Sequence, residues 1–473
     1  MKTSALFQNT ISSFFLKRAR TVKYCAVFAV YVLCAIGAWG TEYTWTGGGT
    51  DSNWTTENNW DISGYPRTGD TAIFTGNTEV TAVLDGNITI STIKTGTEGA
   101  SKVTIDTDGH SLTTTNFTVN AGATGSYNTT TVITGNGTLT VSGTATVSSG
   151  AEMNVNAANF SGTVTNNRTI TCGDGAVTFG ETTNSGRITC STTFTVFNGA
   201  VTVLAGGTIT GSTGTAEFRS TVTNSGTITG GSGAVTFGGN VTNDGEINGS
   251  SGNITFSGTT DNSGTITASD GAVTFGGSLT NNGTITGGSG AVTFGETINS
   301  GGITCSTTTT VFNDAVTVSA GGTIKGTTGT AEFKSTVTNS GTITGGSGAV
   351  TFGGNVTNDG EISGSFGELT FSGTYGSSTN ATAKLTASSG NTYFYSDADF
   401  SYTTFNANGG IVLFSSTETT GQKLILANNT VSFNEITIQT STGGFTAEGT
   451  ENGKLFYIIQ FSHYILTKLL ITR

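Results

Sequence analysis

Proline is nearly missing from this chain, with Pro66 the single example in 473 residues. That excludes proline-rich linkers and fits strands whose every N–H is needed in a ladder. Histidine is limited to His110 and His463, far apart and without metal-ligand spacing around either, and no nucleophile elbow, phosphate-binding loop or cysteine pair with zinc spacing appears. Charge is thin, at 10% of residues, and short of the basic sign: 18 Lys and Arg stand against 30 Asp and Glu. Five of the basic residues and no acidic one fall in the first 40 positions, leaving 13 basic and 30 acidic side chains in residues 41–473, a net charge of about −17. Such an overall balance argues against nucleic acid and anionic lipid as partners, and it also serves solubility.

Glycine is what the chain has in excess, 72 residues, set in a repeat. Phenylalanine returns at Phe179, Phe197, Phe218, Phe237, Phe256, Phe275, Phe294, Phe312, Phe333, Phe352 and Phe371, in steps of 18 to 21 residues that are mostly 19. A unit this short cannot bury its apolar face without a stacked neighbour, so the period implies a solenoid. Within one unit, Val235, Phe237, Val241, Asn243 and Ile247 alternate with Thr236, Thr242, Asp244 and Glu246, the period of 2 of strands buried on one face.

Nineteen is odd, so the alternation must flip once per coil. The expected place is the corner Gly230, Gly231, Ser232, Gly233, where glycine tolerates positive φ and brings no Cβ into a tight bend. The other corner is Asn-x-Gly, at Asn184, Asn224, Asn243, Asn262, Asn281, Asn299, Asn339 and Asn358. Stacked at one level, these amides are expected to bond coil to coil. Phe237 and Phe256 belong to one apolar ladder, Ile228 and Ile247 to another. Three short strands per coil and no helical segment predict an all-β parallel β-helix rising about 4.8 Å per coil. Residues 76–450 would then form roughly twenty coils and a rod on the order of 100 Å long.

The remaining segments differ in kind. Residues 1–40 carry a basic stretch and then the apolar run YCAVFAVYVLCAIGAWG, expected to be a cleavable secretory signal, or alternatively an uncleaved anchor. Residues 41–75 hold Trp45, Trp54, Trp60 and Pro66 and are expected to cap the first coil, with a carbohydrate-stacking platform as the alternative. The most regular coils span 170–373, and the block 179–257 recurs at 294–372, an offset of 115 or six coils. Residues 451–473 lack glycine after Gly453 and lack the coil motif, so a terminal cap or a frameshifted end is expected there. Cys172, Cys190 and Cys305 each follow a ladder isoleucine by two residues. Cys172 and Cys190 would be stacked neighbours, close enough for a disulfide or simply small core residues.

The opening W-x-G-G-G-x-D-x-N-W from Trp45, the N-W at 59–60 and P-x-x-G-D-x-A-x-F from Pro66 resemble exported bacterial proteins with autotransporter-associated β-strand repeats. The Asn-x-Gly-x-Ile coils are similar to those of autotransporter passenger domains and filamentous-haemagglutinin-type adhesins. These resemblances imply a right-handed parallel β-helix at the cell surface or released from it, acting in adhesion, with an extracellular glycan or host-surface receptor as partner. The chain departs from the family in lacking a proline-containing secretion domain and a barrel-like C-terminal region. Contact with a membrane is therefore expected only through export or an anchor elsewhere.

No catalytic, cofactor or metal site is expected. The glycine corner resembles nonapeptide calcium repeats, but the aspartate these require is replaced by Val235. Coils of 18 to 21 residues leave no room for the loops of a polysaccharide lyase. The less regular residues 375–450 carry Tyr393, Tyr395 and Tyr402, the candidate contacts for a glycan and the basis of an alternative as a glycan-binding or polysaccharide-processing protein. Outward Thr-x-Thr pairs such as Thr227 and Thr229 raise a remoter ice-binding alternative, interrupted by Arg187, Glu246, Lys325 and Glu361.

Overall fold

A computed structural model describes residues 40–471, apart from 76–78, 97–101, 122–128, 380–381, 417–420, 428, 430, 441–443, 452–453, 459–463 and 467–469. The N-terminal apolar run expected to direct export lies outside the described residues. The chain forms a parallel β-solenoid of about 18 turns, with Glu57–Asn59 its only helical turn among the described residues. At one strand spacing per turn the rod is roughly 85 Å long. It is shorter than twenty coils because the end coils are wider than 19 residues: Val103 pairs with Thr131 and Leu413 with Thr437.

Each coil contributes one strand to each of three parallel ladders, as Val235–Phe237, Val241–Asn243 and Glu246–Asn248 do in one turn. Register is kept residue for residue: Phe237 pairs with Phe218 and Phe256, Asn243 with Asn224 and Asn262, and Ile247 with Ile228 and Ile266. A period of 2 explains which side chains enter the core, because Val235, Phe237, Val241, Asn243 and Ile247 are all buried. The flip falls at the glycine corner, where buried Gly230 and buried Val235 are an odd number of residues apart.

Of the two reasons expected for glycine at the corners, the lack of room for a Cβ holds and positive φ does not. Gly233 and Gly245 are not among the residues at positive φ. A Cβ at Gly233 would run into the carbonyl oxygen of Gly214 in the coil below, and one at Gly245 into that of Gly226. Stacking at one strand spacing brings successive corners into backbone contact, and only hydrogen fits between them.

The Phe ladder is a continuous column of parallel rings from Phe160 to Phe414. Neighbouring centroids are 4.5 to 5.3 Å apart, within the range that favours offset stacking. Each ring is fully buried, a contribution of about 1.5–3 kcal/mol from area alone. The 19-residue register begins before residue 170, since Leu139–Val141 already pairs in step with Ala158–Phe160.

The tryptophan-rich segment is part of the solenoid as well as its plug. Glu42–Thr44 pairs in parallel with Thr71–Phe74, which pairs with the next coil at Thr92 to Thr95. Trp45, Trp54 and Trp60 are 0 to 6% exposed, packed edge-to-face at 5.0 and 5.1 Å and against Phe74. With their faces in the core these rings cannot stack on a sugar, so the platform alternative is overturned. The motif residues hold the plug's loops: Asn59 is buried and donates to the Asp51 and Asn53 carbonyls at 3.1 and 2.9 Å. The Asp70 carboxylate accepts from the N–H groups of Thr41 and Arg67, both at 2.9 Å.

At the other end the chain reverses. Lys454–Ile458 pairs antiparallel with Phe445–Glu451, Tyr464–Leu466 with Glu435–Thr440, and Leu470–Ile471 with Val431–Ser432. The last coil's free edges are thereby met by antiparallel strands, which do not propagate a parallel stack.

Candidate functional site

The ladder residues singled out by sequence all face inward. Asn184, Asn224, Asn243, Asn262 and Asn281 are buried to 0 or 1% exposure, as are Phe237, Phe256 and Ile247, with Ile228 at 2%. Their side chains therefore serve the stack and are closed to ligands. The amides run head to tail, Nδ2 to Oδ1, from Asn224 through Asn243, Asn262 and Asn281 to Asn299, at 2.7 to 2.8 Å. The free proton of most amides goes to the backbone of the next coil, as from Asn224 to the Glu246 carbonyl at 3.0 Å.

Sequence spacing did not reveal that this column is broken twice. Val203 and Val318 occupy the asparagine level, leaving three stacks: Asn166–Asn184, Asn224 to Asn299, and Asn339–Asn358. The last ends on the Tyr375 hydroxyl, 3.1 Å from Asn358 Nδ2. Just above the first break, Asn224 Oδ1 is buried without a partner. A hydrophobic residue in the column at a regular 115-residue offset is the signal that marks both breaks in the sequence.

Cys172, Cys190 and Cys305 are buried free thiols. Cys172 and Cys190 follow the in-register pair Thr171 and Thr189, and nothing in the structure joins them. Burial pushes the Cys190 thiol up to about 12, partly offset by the Thr195 hydroxyl, and the Cys305 thiol to about 11, partly offset by Thr310. Burial likewise raises the Tyr375 hydroxyl to about 12, against the hydroxyl of Thr403 and the amide of Asn358. All three groups are neutral near pH 7, so none is poised as nucleophile or base. No three of His, Cys, Asp and Glu converge on a metal position among the described residues. Val235, where a calcium repeat needs aspartate, is 4% exposed and points into the core.

Function must then be read from the outer surface. The two repeated blocks differ only at positions that are not buried in either copy, among them Thr183 and Ile298, Arg187 and Gly302, Phe194 and Thr309, Leu204 and Ser319, with the buried Ile254 and Leu369 the one exception. Close packing holds the inner positions, and divergence has gone to the face that meets solvent.

Of the candidate glycan contacts, two come together. Tyr393 and Tyr395 lie on one side of an extended segment with rings parallel to 1° and centroids 6.0 Å apart. The Tyr393 hydroxyl accepts from Asn391 Nδ2 at 2.8 Å and donates to Glu368 at 3.5 Å, which fixes the ring. Tyr395 is 43% exposed. Tyr402 is equally exposed but sits in the turn between Ala398–Asp399 and Thr403–Asn406, without a ring contact to either. The three-tyrosine patch is thus a two-tyrosine shelf. On the ladder that carries the Thr-x-Thr pairs, Glu246 stands between Thr227 and Thr265, so the threonine column is not a flat array. No protein-family model matches the chain, and no curated protein or solved structure matches it.

Proposed function

We propose that this chain is an exported, surface-displayed or secreted rod of the autotransporter-passenger kind, structural and adhesive in role and without a catalytic centre. The observation that carries the reading is the unbroken stack. From Leu139 to Phe371 every coil is used up by three short strands and the short turns that join them, so the surface is long and shallow. Extended shallow surfaces suit contact with large partners better than enclosure of a small substrate. The apolar run at 24–40 and the acidic surface support a place outside the cell. Fractionation with protease shaving of intact cells tests this, together with attachment of cells that express or lack the chain. A product confined to the cytoplasm, or attachment unchanged by its loss, would sink the proposal.

The Tyr393–Tyr395 shelf favours a second reading, glycan binding centred on residues 375–450. Parallel, half-exposed rings offer the flat apolar face that sugar C–H groups pack on. A glycan array with Tyr393→Ala and Tyr395→Ala tests it, with Tyr402→Ala as the control remote from the shelf. Selective binding lost in the first two variants and kept in the third supports this reading, and equal signals in all four proteins refute it.

A further inference from the structure

Arginine is scarce on this acidic rod, and two arginines meet on one face of it. The corner that reads Asn-Ser-Gly at 184–186 reads Asn-Asn-Arg at 166–168, so Arg168 stands in the glycine column directly beneath Gly186. A side chain is accommodated there because the coil below turns more widely, through Ser148, Ser149 and Gly150, with Gly150 at a φ of 85°. Arg187 follows in the next coil, in register with Thr169. Both arginines are exposed, and neither guanidinium has a hydrogen-bond or ion-pair partner among the described residues. With Glu152 they wall a recess of about 580 Å³ floored by Thr169, Thr171 and Thr189.

The chain contains its own comparison. One six-coil offset further on, the same register brings Thr284 beside Gly302, and the residues equivalent to Arg168 and Arg187 are Gly283 and Gly302. The same fold is therefore present with and without the guanidinium pair, so the stack does not need it.

We propose that Arg168 and Arg187 bind an acidic polysaccharide, their guanidiniums taking its carboxylate or sulfate groups while the threonine hydroxyls meet the neighbouring sugar hydroxyls. Guanidiniums bind carboxylates and tetrahedral oxyanions alike through paired, charge-assisted hydrogen bonds. The recess is in the size range of sites for whole small molecules, about 300–1,000 Å³, and larger than a free inorganic ion requires. Glu152, in register with Thr169 on the side away from Arg187, bounds the anion's position by repulsion. The proposal rests on the adhesive reading, since such polymers are met outside the cell.

The test measures binding of the purified full chain to immobilised polygalacturonate, dextran sulfate and neutral dextran. Binding to one or both polyanions and not to dextran is expected, and the preferred polymer distinguishes carboxylate from sulfate. The double variant Arg168→Gly/Arg187→Gly, which copies the residues at 283 and 302, should lose at least tenfold in affinity with an unchanged circular dichroism spectrum. Glu152→Gln should gain severalfold. No polyanion binding by the parent chain, equal binding of dextran, undiminished binding by the double variant, or weaker binding by Glu152→Gln overturns the site. Because the assay uses purified protein, its failure leaves the rod reading to be judged separately by fractionation and attachment.

Discussion

Replacing Asn262 by valine asks what the buried amide column contributes. Asn262 is the middle of the five-residue stack, accepting from Asn243 Nδ2 at 2.8 Å and donating to Asn281 Oδ1 at 2.7 Å. Asn262→Val removes both bonds. Asn243 keeps carbonyl acceptors on Gly245 and Thr265, at 3.3 and 3.1 Å, whereas Asn281 Oδ1 loses its donor in a buried place. An orphaned buried acceptor costs about 1–3 kcal/mol. Valine fits the column, as Val203 and Val318 do, and returns part of the loss through apolar burial, so the net destabilisation expected is about 1–2 kcal/mol. Thr260 in the same strand supplies the opposite sign. Its hydroxyl is buried without a partner between Val241 and Leu279, so Thr260→Val should stabilise by about 1 kcal/mol. A solenoid's coils open locally, so hydrogen exchange of peptides spanning residues 241–300 is the suitable assay. Protection should fall roughly tenfold in Asn262→Val and rise severalfold in Thr260→Val. If both variants move protection the same way, the account of the column as a satisfied polar network is wrong.

Phe256→Ala opens the ring column between neighbours at 4.8 and 4.7 Å and should cost about 3–5 kcal/mol, read as lost exchange protection centred on its own coil and its two neighbours. Trp54→Ala removes a fully buried ring from the plug. It should loosen the first coils while the coils beyond residue 139 keep their protection, an outcome that limited proteolysis with N-terminal mapping checks. Alkaline pH should destabilise the fold. The unfolded chain loses thiol and phenol protons near their usual values of 9 and 10, while Cys305 holds its proton to about 11 and Cys190 and Tyr375 to about 12. The unfolded state thus binds fewer protons in that window, and stability falls as pH rises from 9 toward 12. Urea midpoints across that range should decline, and Cys305→Ala should flatten the decline between 9 and 11.

Much of the candidate site was hidden for one common reason. Periodicity reports which residues recur at one level of a stack, so Asn243 and Asn262 were visible as neighbours from their 19-residue spacing. It does not report what stands sideways of a residue. Tyr393, Tyr395 and Tyr402 look equivalent as aromatic residues in one irregular stretch, yet a corner separates Tyr402 from the other two. Arg168 and Arg187 differ by 19 positions, one coil, but the corner motif drew attention to the asparagines and not to the arginine in the glycine column.

By itself the amino-acid sequence determined the solenoid, the three inward ladders, the place of the parity flip and the duplicated block. Each of these repeats once per coil, and a coil too small to fold alone must stack in register. Only the tertiary structure decided what the corners and ends do. It assigned the corner glycines to backbone contact between coils instead of positive φ, and it turned the tryptophans inward as a plug. It also placed two guanidiniums, without a partner among the described residues, around one recess. Those outcomes depend on the distance between stacked backbones and on how widely each corner turns, quantities that residue spacing along the chain does not contain.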